Sequence, residues 1–529
     1  MHKDSLNINY KTRPQNYEDR EKSLTLRIQA GLKRRTIHDL FLYFPTIIIQ
    51  GIIGLLIASL LSKLFAPDQY GNYVLAHGIY NLLGTLSGMW MHLSIIRLLP
   101  EYKAKGIYDT LVVTLIYFEI SILIFITLIG ATTLFISGAF LNRHLFSLLL
   151  IAVFGYVFNV CALSIESFYM ITGQPGKYSI VVLYRILCGL IVGLIFALWF
   201  NMGIVGFFLG LVFPNVCLML WFIWIKKKRL INIFSYGSFS MKALRDAMSY
   251  SLPFVGMNLT ALILGISDHY IIGGYLSSYE VGIYAICYLI ANQGIQIFIT
   301  VLMKAADPIA IKTWEEHGLD PAYNYLIQLF RYYTILAIPA LIGLSVLGSE
   351  LISIFSTPEY AIGAPVIIYV GFGMLFHGYT QLQNRVFILS KKTVTPLLNF
   401  TLISILNVSL NILIVPRFGY IAAAWTTLIS YFLLFIITFI TARRVLELKW
   451  WDNYIWKVLI SSCGMGLIVY FSKEMFTSII LNLFLSIFIG VGCYSVLIIL
   501  LKGINDTEKQ QIISKSLQVI RRYKAKLSF

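Results

Sequence analysis

Fourteen runs of roughly 20 apolar residues, separated by short polar turns, leave this chain few ways to fold. A helix of that length crosses about 30 Å of hydrocarbon, and only helices and closed barrels satisfy their backbone there. The runs lie near 39–64, 72–98, 109–136, 145–171, 179–200, 203–225, 248–274, 281–305, 323–347, 362–389, 394–415, 419–442, 454–472 and 478–501. The predicted class is all-α: a polytopic membrane protein of about 14 transmembrane helices. Composition agrees, since only 12% of residues are charged, about half the share in soluble domains.

The formal net charge of +17 invites a nucleic-acid reading, but its distribution argues for topology instead. With the N-terminus inside, the inner segments collect Lys33, Arg34, Arg35, Lys103, Lys105, Lys226, Lys227, Lys228, Arg229, Lys391, Lys392, Arg443, Arg444, Arg521, Arg522, Lys524 and Lys526. The outer side keeps Lys63, Arg143, Arg417 and Lys473. That asymmetry obeys the positive-inside rule and faces the basic residues toward an anionic leaflet. Both termini are expected in the cytoplasm and no nucleic-acid partner is expected. The first 37 residues read as a basic tail rather than a cleaved signal. The six cysteines all lie in apolar runs without metal spacing and read as packing residues.

An internal repeat organises the spans. Pro45 and Pro253 each sit just inside a span and are 208 residues apart. Gly71-Asn72-Tyr73 and Gly282-Ile283-Tyr284 each open the next span; Pro100 and Pro308, again 208 apart, are expected to close it. The stretch from Asn201 parallels that from Arg417. The offset holds six spans, so the halves run parallel. The expected domains are a tail (1–37), an N-lobe (38–225), a cytoplasmic linker (226–246), a C-lobe (247–445), two extra spans (446–501) and a basic tail (502–529). Two six-helix lobes would enclose a central cavity, with the C-terminal pair outside.

Three segments carry a family resemblance. "LRDAMSYSLPFVGMNLTALILGISDHYIIGGYLSSYEVGIYAICYLI" has an amphipathic helix, Ser-Leu-Pro, an Asp late in its span, then Gly-x-Tyr. "NFTLISILNVSLNILIVPRFGYIAAAWTTLISY" has recurrent Asn, Asn-x-x-hydrophobic-Pro, then Gly-x-x-Ala-Ala; "PDQYGNYVLAHGIYNLLGTLSGMWMHLSIIRLLPEY" looks like the second span. Together they resemble the polysaccharide exporters, or oligosaccharide-lipid flippases, of the superfamily that also holds MATE exporters and lipid II flippases. The resemblance implies a transporter in the cell membrane that moves a polyprenyl-pyrophosphate-linked oligosaccharide outward by alternating access. It implies membrane lipids, a polysaccharide polymerase and glycosyltransferases as partners. The alternatives are a cation-coupled drug or metabolite exporter of the same fold, and a membrane-embedded polymerase. With short outer loops and no Walker, HExxH or Ser/His/Asp pattern, no enzyme, cofactor or metal site is expected.

A pyrophosphate needs cations along its path. Arg97 and Lys304, near-symmetric at the inner ends of spans 2 and 8, are candidates, with snorkelling to the interface as the plain alternative. Arg185 and Arg385 lie deeper; Arg185 is placed to pair with Glu166 in the adjacent span. Asp268 sits about 22 Å from the inner face, counted at 1.5 Å per residue from Pro253. Three roles stay open for it: satisfying neighbouring helices, binding a coupling proton or sodium ion, or pairing with Lys63 as an outer gate. Glu119 in span 3 raises the same coupling question. Asn399, Asn407 and Asn411 share one face of span 11, and Gly84, Ser87 and Gly88 suit close contact at the lobe interface.

Overall fold

A computed structural model of the chain describes residues 49–317, 319–390, 392, 394–446, 453–473 and 479–503. Every apolar run appears in it as a helix. These are α1 (Ile49–Leu64), α2 (Pro67–Ala104), α3 (Tyr108–Ser137), α4 (Arg143–Ile171), α5 (Pro175–Leu194), α6 (Gly203–Tyr236), α7 (Met241–Tyr275), α8 (Ser278–His317), α9 (Leu319–Val346), short α10 (Gly348–Phe355), α11 (Ala364–Leu389), α12 (Val394–Phe418), α13 (Tyr420–Arg443), α14 (Tyr454–Ser472) and α15 (Ile479–Leu500). Thirteen of them are long and apolar enough to span; α1 is the described part of a fourteenth run, and Pro45 lies outside the described residues. Both charged tails, 1–37 and 504–529, also lie outside.

Local chemistry starts and stops the helices. Proline stands in the first turn of α2 and α5, where its missing N–H costs nothing. Asn142 caps α4 by accepting from the Leu145 N–H at 2.7 Å, and Ser240 caps α7 through Ala243. Gly419, with φ of 76°, makes the left-handed turn between α12 and α13 that a side chain would strain.

Two expectations fail at the helix ends. Pro100 does not close its span: α2 runs through it to Ala104, and α8 runs on to His317. Nor is 226–246 a linker, because α6 continues to Tyr236 and α7 begins at Met241, leaving a turn of 237–240. Lys and Arg are strong helix formers, so a helix leaving the membrane through Lys226–Arg229 has no reason to stop.

Packing groups the helices. α2, α4, α5 and α6 pack on one another; α8, α11, α12 and α13 form a second set with α7 and α9. α14 packs on α9 and α15. Among the described elements whose packing is resolved, α2 makes broad contact with both α7 and α8, and so joins the sets. Gly84 and Gly88 face Asn159 and Val160 of α4, so this small-residue stripe packs inside the first set rather than between lobes. The antiparallel alternation gathers the C-terminal ends of α2, α6, α8, α11 and α13, with most of the described Lys and Arg, at one end of the bundle, called here the basic end.

Candidate functional site

In the basic half of the first set, α2, α4 and α5 line a cavity of about 330 Å³ whose wall mixes polar side chains with Met89, Leu163 and Met170. Asn81, Thr85 and His92 line it from α2, and Asn159, Glu166 and Ser167 from α4. Asn159 and Glu166 are seven residues apart, two turns of α4, which puts them on one face, with Ser167 beside Glu166 at its edge. Behind this wall Arg185 of α5 is held by three side chains. It pairs with Glu166, donates to Asn159 Oδ1 at 2.6 Å, and donates through Nε to Asn215 Oδ1 of α6 at 2.7 Å. Asn215 in turn donates to the Tyr80 hydroxyl at 3.1 Å. Arg185 thus has each of its three nitrogens bonded, which helps to offset the cost of burying its charge. Arg185 is committed inside this network and its guanidinium is not displayed to the cavity. His92 bonds the Ser167 hydroxyl on the cavity wall.

The second set buries Asp268 completely, in α7, two turns from the helix end. Three donors from three helices reach its carboxylate. Asn411 of α12 donates to Oδ1 at 2.8 Å; the Tyr284 hydroxyl of α8 and the Thr427 hydroxyl of α13 donate to Oδ2 at 2.6 and 2.5 Å. Asn411 accepts from Thr426 at 2.6 Å and donates to Asn407, which donates to Ser430. The face of Asn407 and Asn411 seen in the sequence is therefore the inner lining of this network, while Asn399 donates to Thr441. Lys63 does not pair with Asp268. It sits at the end of α1 and donates to the Ile354 carbonyl of α10 at 2.6 Å, beside Ser62, which donates to Phe355. The last carbonyls of a helix carry partial negative charge, so they hold a lysine where an acid had been expected to.

The other candidates are dispersed. Arg97 and Lys304 are exposed on the basic-end portions of α2 and α8. Arg385 is half-buried on α11 and donates to the Met303 sulfur at 3.2 Å. Glu119 is buried against Trp90, and neither of its oxygens makes a well-formed hydrogen bond among the described residues.

At the end opposite the basic residues, the first turns of α2 and α8 cross in direct backbone contact. A Cβ on Gly71 would strike the Ser278 carbonyl, and one on Gly282 would strike the Pro67 carbonyl. These are the repeat-related glycines of the two Gly-x-Tyr motifs, so the contact is reciprocal in the manner of a two-fold interface. Ser278 donates to Asn72 at 2.7 Å, and Tyr270 donates to the Leu75 carbonyl at 2.9 Å beside Gly78. Here α2 closes directly onto α7 and α8, and this contact is called the shut end. A separate apolar cavity of about 890 Å³ lies among α9, α14 and α15, lined by residues such as Leu336, Pro339, Ile487 and Val491.

The sequence profile of one family, described as polysaccharide biosynthesis protein, matches residues 60–365. The chain belongs to that family. The matched segment holds Arg97, Glu119, Glu166, Arg185, Asp268, Lys304 and both crossing glycines. An uncharacterised membrane protein of Methanocaldococcus jannaschii is 25% identical over 504 residues, 89% of this chain and 96% of its own. A probable lipid II flippase MurJ of Thermotoga maritima is 27% identical over 204 residues, 37% of this chain and 42% of that protein. Among solved structures, a lipid II flippase MurJ in an inward closed conformation superposes with a TM-score of 0.70 at 16% identity, covering 86% of this chain and 98% of its own. An inward-facing MATE multidrug transporter superposes with 0.61 at 17% identity, covering 76% and 95%. The fold is the one these proteins share, and the chain is a multi-pass membrane protein.

Proposed function

We propose that this protein is a flippase that carries a polyprenyl-diphosphate-linked oligosaccharide from the inner to the outer leaflet of the cell membrane, with both termini cytoplasmic. One observation carries the reading. The two helices that meet glycine-to-carbonyl at the shut end, α2 and α8, are the ones that expose Arg97 and Lys304 toward the basic end. About 26 residues separate Gly71 from Arg97, or some 39 Å at the helical rise, so one helix pair links a closed outer end to two cations at the inner end. Arg offers a diphosphate two parallel donors and Lys a point charge. The polar cavity supplies a place for a headgroup, and the apolar cavity among α9, α14 and α15 suits a polyprenyl tail. Opening one end while closing the other moves the headgroup without exposing it to hydrocarbon. Glycosyltransferases and a polymerase would supply and consume such a cargo. The likeness to a MATE transporter supports a second reading, export of a soluble compound on the same fold.

The test is translocation of a fluorescent polyprenyl-diphosphate oligosaccharide in proteoliposomes. The protein as it stands should accelerate it, and Arg97→Gln with Lys304→Gln should lower the rate at least tenfold with insertion unchanged. A wild-type protein that moves soluble amphiphiles but not the lipid-linked sugar would sink the flippase reading; full activity of the double variant would sink the role of the two cations.

A further inference from the structure

The polar cavity of α2, α4 and α5 has a definite chemical character. Arg185 stands behind it with Nε and both terminal nitrogens spent on Asn215, Glu166 and Asn159. Among the described lining residues the formal charge is the carboxylate of Glu166, whose Oε1 faces Arg185. Its other oxygen, the Nδ2 of Asn159 and the Oδ1 of Asn81 take part in no hydrogen bond among the described residues and are not sealed in the protein interior. His92 and Thr85 add groups that donate or accept according to rotamer and tautomer. Acceptors and donors thus share the wall of a cavity of about 330 Å³, at the small end of ligand sites, with the apolar Met89, Leu163 and Met170 between them. Hydroxyl groups of a sugar both donate and accept, and a pair of adjacent hydroxyls matches a carboxylate oxygen beside an amide. An anion meets the opposite: a carboxylate in the wall and an arginine already neutralised.

We propose that this cavity is a sugar subsite that takes an uncharged sugar ring and rejects a uronic acid or a phosphate. It rests on the flippase reading for its place in a transport cycle, and it divides the cargo: the diphosphate stays with Arg97 and Lys304 at the basic end, and the first uncharged sugar ring enters the first helix set. The selectivity is built by consuming Arg185 rather than by leaving a cation out, so it is carried by four residues, Asn159, Glu166, Arg185 and Asn215.

The test is binding to the purified full-length protein in detergent, read as the concentration-dependent rise of the thermal midpoint. The probes are the methyl glycosides of glucose, galactose, mannose and N-acetylglucosamine, and the uronides matched to the first three, each up to about 100 mM, since the small cavity gives only weak sites. At least one neutral glycoside should saturate, with its uronide binding at least tenfold more weakly. Asn81→Ala should weaken the neutral sugar several-fold, and Asn81→Lys, which puts a cation in the wall, should narrow the preference or reverse it. No saturation by any neutral glycoside, equal binding of a sugar and its uronide, or indifference to both Asn81 variants overturns the proposal. A protein that binds the neutral sugar yet translocates no lipid-linked cargo overturns the flippase reading and leaves the subsite standing; one that translocates neutral and acidic cargo equally does the reverse.

Discussion

Replacing Gly282 with alanine tests the shut end of the bundle at its tightest point. The added methyl would overlap the Pro67 carbonyl, a main-chain group that cannot rotate away. The first turns of α2 and α8 must then part. Overpacking of this kind costs about 1–3 kcal/mol, and parting also loosens the Ser278–Asn72 and Tyr270–Leu75 hydrogen bonds, worth about 1 kcal/mol each. The closed arrangement should therefore lose roughly 3–5 kcal/mol relative to any arrangement in which these turns are apart, a shift of about a hundred-fold to several thousand-fold in the ratio of the two. The helix itself does not suffer, because alanine is a better helix former than glycine by about 1 kcal/mol. Cysteines at positions 72 and 278, in a protein freed of its six native cysteines, report the closed state by oxidative cross-linking. Gly282→Ala should slow cross-linking at least tenfold while expression and thermal midpoint hold, and Gly71→Ala should do the same. Unchanged cross-linking in both variants would show that the glycines are not what lets the end close.

Other outcomes follow from the same contacts. Asp268→Asn replaces an acceptor of three hydrogen bonds by a group that presents a donor to donors, and should destabilise the protein by about 2–5 kcal/mol, seen as a lower thermal midpoint; if the folded variant instead keeps its midpoint and loses only its response to an imposed proton or sodium gradient, the carboxylate serves coupling. Glu166→Gln and Arg185→Met should each cost about 3–5 kcal/mol by stranding a buried charge, and the double variant less than their sum; additive losses in a double-mutant cycle would refute the pairing. A cysteine at exposed Ser238, in the turn between α6 and α7, should react with an impermeant reagent only from the cytoplasmic side in oriented membranes, and labelling from outside would invert the assigned topology.

The spans were legible because the length of an apolar run is set by hydrocarbon thickness, a constraint that no tertiary contact overrides. Helix ends were not, because nothing outside the membrane requires a helix to break: α6 and α7 consume most of the stretch read as a linker, and α2 passes through Pro100. The Glu166–Arg185 pair was readable from opposite charges in two adjacent antiparallel spans. Its supports, Asn159 and Asn215, were not, since an asparagine in an apolar run does not announce its partner. Asp268 stood out for the same reason as Arg185, yet two of its donors, Asn411 and Thr427, lie 143 and 159 residues away. The Asn407–Asn411 spacing was the one visible trace of that network. The Lys63 pairing failed because sequence shows charges and hides main-chain carbonyls. The repeat was visible as Gly-x-Tyr, but that its two glycines touch each other's helices required the fold.

The four-residue turn at 237–240 has a mechanical consequence. Four extended residues reach about 14 Å at most, and here they are also pinned: the Ser240 N–H bonds Thr114 at 2.9 Å, Gly237 sits against Val113 and the Asp109 carbonyl, and Tyr102 holds Asp246 at 2.9 Å. The basic ends of α6 and α7 are thus strapped together on one flank by the covalent chain itself. If the two helix sets separate at the basic end, that flank acts as the spine of a book and the opposite flank takes the whole displacement. The mouth is then a slot in the side of the protein, continuous with the bilayer, rather than a ring at the tip of the bundle. A slot admits a molecule whose head travels inside the protein while its tail remains in the lipid.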